Sequence, residues 1–121
     1  MAKNKLDKEK IKRSIEHNSK LAAGCIKQQD YPKALQYLQK GLDTSIKELG
    51  KEHWYTANIY NNLALLYQIQ SDYPKALNYF QKALDIFEKE PGKEYPYTAN
   101  TYKNLANLYL AQCDCSKALD Y

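Results

Sequence analysis

Tyr73-Pro74-Lys75-Ala76-Leu77 repeats Tyr31-Pro32-Lys33-Ala34-Leu35, which lies 42 residues earlier in the chain. The same offset carries Lys51-Glu52-His53-Trp54-Tyr55-Thr56-Ala57-Asn58 onto Lys93-Glu94-Tyr95-Pro96-Tyr97-Thr98-Ala99-Asn100. It carries Asn62-Leu63-Ala64 onto Asn104-Leu105-Ala106 and Tyr67 onto Tyr109. One step further back reaches Lys20-Leu21-Ala22, with Cys25 in the tyrosine place. Three units in one register without an insertion mark a chain built by stacking one supersecondary unit.

Each unit reads as two helices. Tyr60, Leu63, Ala64 and Tyr67 follow the i, i+3, i+4, i+7 spacing of an amphipathic helix. Asp72-Tyr73-Pro74 then breaks the pattern, with Pro74 suited to a first helical turn, where its missing N–H is not needed. Ala76, Leu77, Phe80, Ala83, Leu84 and Phe87 form the next stripe, and Gly92 is placed to end it. The spacing predicts helices near 8–28, 32–48, 54–70, 74–89 and 96–112, with a sixth starting at Ser116. Ala22, Ala64 and Ala106 fall mid-way along the first helix of each unit, and Ala34, Ala76 and Ala118 near the start of the second. Alanine at those places lets paired helices approach closely while keeping helix propensity.

Composition agrees. The chain has 121 residues, of which 44% are hydrophobic and 26% charged, an ordinary globular balance. Four Gly and four Pro are too few to turn an all-β sandwich of this length. No apolar run approaches the roughly 20 residues of a membrane-spanning helix. We divide the chain into a basic leader over 1–9 and an array over 10–121, with repeats near 10–50, 51–92 and 93–121, the last incomplete. Tyr121 falls a few residues into the expected sixth helix, so the helix near 96–112 is expected to lose part of its cover.

The order aromatic, Leu-small, aromatic, Ala, aromatic, Ala is met here by Tyr60, Leu63-Ala64, Tyr67, Ala76, Phe80 and Ala83. It resembles the tetratricopeptide repeat. The 42-residue period, with Asn61-Asn62-Leu63-Ala64-Leu65-Leu66-Tyr67 and Leu49-Gly50-Lys51-Glu52-His53, resembles the longer repeat of kinesin light chains. The resemblance covers about residues 10–121 and implies an all-α, right-handed superhelical array of antiparallel helix pairs, about two and a half to three repeats long. Three features depart from it. Gln29, Ser71 and Cys113 stand where the family usually has glycine, and a positive φ there would be mildly strained. Cys115-Ser116 replaces Tyr-Pro, although Ser can act as an N-cap. Asn18 stands where the second unit has Tyr60, a more polar edge that suits an end unit.

The resemblance also implies that the first helix of each pair lines an inner, concave groove. Off the apolar stripe those helices carry Asn58, Asn61 and Asn62 in the second unit and Asn100, Lys103, Asn104 and Asn107 in the third. The first unit offers Lys20, with Glu16, Ser19, Ala23 and Lys27 beside it. An Asn amide both donates and accepts, so it can pair with an extended peptide backbone. Lys supplies a point charge for a carboxylate. The expected function is therefore a protein-protein interaction, adaptor or scaffold module that binds an extended, acidic peptide in the groove. Tyr60, Tyr67, Tyr79, Tyr102 and Tyr109 are expected to be core residues with the hydroxyl at the rim. Trp54 is expected in a loop.

Two alternatives come from other features. The uncovered last helix could pair with a second copy, giving a homo-oligomer. Residues 1–30 hold eight basic side chains against four acidic ones, while the rest of the chain carries ten of each. That basic N-terminus could meet nucleic acid or an anionic surface, but interleaved acids and a single arginine (Arg13) make this the weaker option. An enzyme is not expected: the phosphate-loop, zinc-protease and nucleophile-elbow motifs are absent from the sequence. Cys25, Cys113 and Cys115 lack the spacing of a zinc site, so no metal, cofactor or small-molecule substrate is expected. With no apolar leader segment, the expected location is the cytoplasm.

Overall fold

The computed structural model describes residues 5–89 and 95–120, with side chains over 7–89 and 99–112. Five helices and no strand occur among the described residues. They are α1 (Lys5–Lys27), α2 (Tyr31–Glu48), α3 (Trp54–Ile69), α4 (Tyr73–Glu88) and α5 (Tyr95–Asp120). Residues 5–9 of the basic leader belong to α1. Gly92, proposed as a stop signal, lies outside the described residues.

The turn chemistry makes the pairs antiparallel. At the end of α1 the Gln29 N–H donates to the Ile26 carbonyl at 3.0 Å, and the Asp30 N–H to the Cys25 carbonyl at 2.8 Å. The same two bonds close α3, from Ser71 to Gln68 at 2.9 Å and from Asp72 to Tyr67 at 2.8 Å. This double closure requires a left-handed residue after the helix. Gln29 and Ser71, two of the three departures from glycine, adopt it, with φ of 62° and 65°. The aspartate that ends one helix also starts the next. Asp30 accepts from the Lys33 N–H at 3.3 Å and Asp72 from the Lys75 N–H at 3.4 Å.

Packing follows the stripes. Ile15 and Ala22 of α1 meet Ala34, Leu38 and Leu42 of α2 and Ile59, Leu63 and Leu66 of α3 in one core cluster. Ala64 of α3 and Ala76, Phe80 and Leu84 of α4 join Leu105 and Leu108 of α5 in a second. Ala22, Ala34, Ala64 and Ala76 are all buried, as close helix approach requires. Between the first two units Ser45 and Thr56 are buried, with hydroxyl oxygens 2.7 Å apart. Thr56 donates its one proton to the Gly50 carbonyl at 2.8 Å, so Ser45 is the donor to Thr56.

The expected break before a sixth helix does not occur. α5 continues through 113–116 to Asp120, whereas α3 stops at Ile69. The difference has a local cause. Pro74 in α4 cannot lie inside a continuing helix, because its ring would clash with the carbonyl four residues back. Ser116 occupies that place in the third unit and permits continuation. Ala106 is correspondingly exposed rather than packed against a partner helix.

Candidate functional site

The site is built on α1 and α3, with α5 extending the same row. Ser19, Ala22, Ala23 and Ile26 of α1, Leu38 of α2, and Asn62 and Leu65 of α3 line a cavity of about 100 Å³, open on one side. α3 in turn touches α5. The two helices α1 and α3 are also tied by the Tyr55 hydroxyl, which donates to Glu16 Oε1 at 2.6 Å, while Lys12 Nζ stands 5.9 Å from the Tyr55 ring centre.

The groove residues expected from the sequence fall into two groups. Lys20, Asn100, Lys103 and Asn107 are exposed, and Asn58, Asn62 and Asn104 are half-buried. None of these makes a side-chain hydrogen bond or ion pair within the described residues, and all but Asn104, whose Nδ2 is buried, keep their polar groups open to solvent. Asn61 is different. It is only 5% exposed, which corrects its expected place on the open surface. Asn61, Leu65 and Gln68 share one side of α3 by their i, i+4, i+7 spacing, and Leu65 packs on the cluster that holds Leu105 and Leu108. Asn61 is thereby on the side of α3 that carries Leu65 toward this cluster. Its Oδ1, Gln68 Oε1 and Asn104 Nδ2 are buried polar atoms without an intramolecular partner.

The aromatic residues are structural in the second unit. Tyr79 of α4 lies flat against Tyr67 at 5.6 Å between ring centres and near Tyr60 at 5.9 Å. Lys82 stands over Tyr60 and Tyr79, and Lys75 over Tyr67. Burial raises the Tyr79 pKa, with smaller contributions from the neighbouring Tyr67 and Tyr60 hydroxyls. Tyr102 and Tyr109 are about half exposed, unlike the core role expected of them. Tyr102 bonds Glu88, which raises its pKa through that hydrogen bond first. Trp54 is not in a loop. It is the first residue of α3 and stacks on Tyr55 at 4.0 Å, against the first core cluster. Cys25 is a half-buried free thiol packed on the same cluster.

Sequence reasoning missed the cavity. Its signal was present in the repeat itself: Ser19 and Ala23 stand where the second unit has Asn61 and Leu65. Both are smaller than their counterparts. It also missed the Glu16–Tyr55 bond and the Ser45–Thr56–Gly50 chain, which depend on how successive pairs dock.

A tetratricopeptide repeat family model matches residues 13–89 and 55–121. The chain belongs to the tetratricopeptide repeat family. Among solved structures it is similar to BtubC (BKLC) from P. vanneervenii, a kinesin-light-chain-like tetratricopeptide repeat protein, at 27% sequence identity and a TM-score of 0.72. That match covers 86% of this chain and 41% of the other, so the chain spans less than half the length of BtubC. No curated protein matches it. Family membership makes the array an all-α solenoid of tetratricopeptide repeats, units that mediate protein-protein interaction. Among the described residues no helix is long and apolar enough to cross a membrane.

Proposed function

We propose that this tetratricopeptide array is an adaptor module that holds an extended, acidic peptide along the row formed by α1, α3 and α5. The observation that carries the reading is Asn62, on the rim of the cleft between α1 and α3, with its amide unspent. A peptide backbone presents alternating N–H and C=O groups, and an Asn amide can answer both. Lys20 and Lys103 are exposed cations on the same row and favour carboxylates on the bound segment.

The test begins with peptides selected from a random display library against the whole chain. Lys103→Ala with Asn104→Ala should weaken the selected peptides by about tenfold or more, the scale of one lost charge-assisted hydrogen bond. The melting temperature should stay where it is. Undiminished binding by this double variant would remove the groove from consideration.

A second reading is favoured by one observation. Tyr102, Tyr109 and Leu110 of α5 are 51%, 48% and 62% exposed, which is an apolar stripe fit for pairing with a second copy. Concentration-dependent light scattering that disappears in Leu110→Glu would support it. Leu108 is not suitable for that test, because it is fully buried in the core.

A further inference from the structure

Ser19, Ala22, Ala23 and Ile26 of α1 occupy the register of Asn61, Ala64, Leu65 and Gln68 of α3. Ala22 and Ala64 are identical, but Ser19 and Ala23 are each smaller than the residue 42 positions on. Leu65 fills space at the seam between α3 and α5, where it packs against the cluster of Leu105 and Leu108. Nothing of that size stands at Ala23. The seam between α1 and α3 is left with the cavity of about 100 Å³, and its floor includes Leu38, only 2% exposed.

We infer that the bound segment carries one branched aliphatic side chain, leucine, isoleucine or valine, which seats in this cleft. The inference rests on the peptide reading above and adds the chemistry of the anchor. Size favours it: a buried cavity of about 150 Å³ is known to take a benzene ring, and at about 100 Å³ this cleft suits a smaller aliphatic group better than a phenyl or indole. Wall chemistry selects it again. Ala22, Ala23, Ile26, Leu38 and Leu65 offer no partner to a charged or amide side chain, which would lose its water without compensation. The rim chooses a peptide over a free hydrocarbon. The Ser19 hydroxyl and Asn62 amide, both without a side-chain partner among the described residues, flank the opening and can take the backbone groups on either side of the anchor.

Ser19→Asn with Ala23→Leu gives α1 the residues that α3 already carries at these positions, and Ala23 is exposed, so the helix tolerates the change. Ala23→Met is a milder second filling variant. Library peptides selected on the native chain should share one Leu, Ile or Val position. Both variants should lower the affinity of those peptides by about tenfold or more, the worth of burying one aliphatic side chain. Circular dichroism melts should be unchanged. Independently, N-acetyl-leucinamide at millimolar concentration should shift the amide resonances of Ala22, Ala23 and Leu65, and N-acetyl-phenylalaninamide should not. Peptides that depend on Lys103 and Asn104 but share no aliphatic position, and bind the filled variants equally, would overturn the anchor and leave the groove reading intact. A library that yields no binder would overturn both. Shifts from the phenylalanine probe equal to those from the leucine probe would overturn the size argument.

Discussion

Tyr60, Leu63, Ala64 and Tyr67 of α3 recur as Tyr102, Leu105, Ala106 and Tyr109 of α5, the same residues in the same register. Their surroundings are opposite. Ala64 is fully buried and shares a cluster with Ala76 and Phe80 of α4, while Tyr79 covers Tyr60 and Tyr67. Ala106 is exposed, and Tyr102 and Tyr109 are about half exposed, because among the described residues no antiparallel helix follows α5. Leu105 and Leu108 remain buried, since the helices that cover them, α3 and α4, come before α5. A stripe in the sequence thus states which side of a helix can be buried. Whether it is buried depends on what the turn at its end allows the chain to do next.

The largest effect we expect comes from testing that difference directly. Ala64→Leu adds a bulky side chain at a fully buried position where α3 meets α4, and should destabilise the fold by about 1–3 kcal/mol in denaturant unfolding. Ala106→Leu makes the identical change in the bare copy and should move stability by less than about 0.5 kcal/mol. Equal losses at the two positions would mean that α5 is covered in solution, and would break the comparison.

A smaller change is expected at the turn that produces the cover. Ser71 holds φ at 65° so that Asp72 can start α4 and fold it back over the Tyr60 stripe. A side chain in that conformation costs about 1–2 kcal/mol, part of which glycine returns as extra freedom in the unfolded chain. Ser71→Gly should therefore stabilise the array by roughly 0.5–1 kcal/mol in the same unfolding measurement. A loss of stability would show that the Ser71 side chain contributes more than its backbone strain removes.

Most of the fold was legible because it is local. The stripes, the prolines at 32 and 74 and the caps Asp30 and Asp72 all act within a few residues, and the first four helices and the start of α5 fall within a few residues of their expected bounds. The missing break at 113–116 shows the limit of reading by repeat register. The register predicted a turn there, but Ser116 lacks the steric veto that Pro74 imposes. The site was half legible. Its Asn and Lys residues could be listed from the repeat, yet the register places Asn61 and Asn62 side by side, and only docking of the helices separates the covered amide from the open one. The cleft was hidden for a related reason: it is made by what Ser19 and Ala23 leave unfilled, and a missing volume becomes visible only when two units are laid over each other.

The smallest expected effect sharpens the comparison by chemistry instead of packing. Tyr79, which covers the α3 stripe from α4, and Tyr102 on the bare α5 stripe both ionise above the usual tyrosine value of about 10, for different leading reasons. Burial leads for Tyr79, and the hydrogen bond to Glu88 leads for Tyr102. A tyrosine whose folded pKa is raised favours the neutral form in the native state. Its contribution to stability is complete below about pH 10 and is lost as pH climbs through the raised value. Stability should therefore drift down above pH 10, and Tyr79→Phe should flatten part of that drift. Removing the acceptor separates the two sites in an ultraviolet titration of the phenolate band. Glu88→Ala should bring the Tyr102 titration back toward 10, while the Tyr79 titration, set first by desolvation, should hardly move. If both shift together, burial is not what holds Tyr79 up, and α4 does not shield the stripe beneath it.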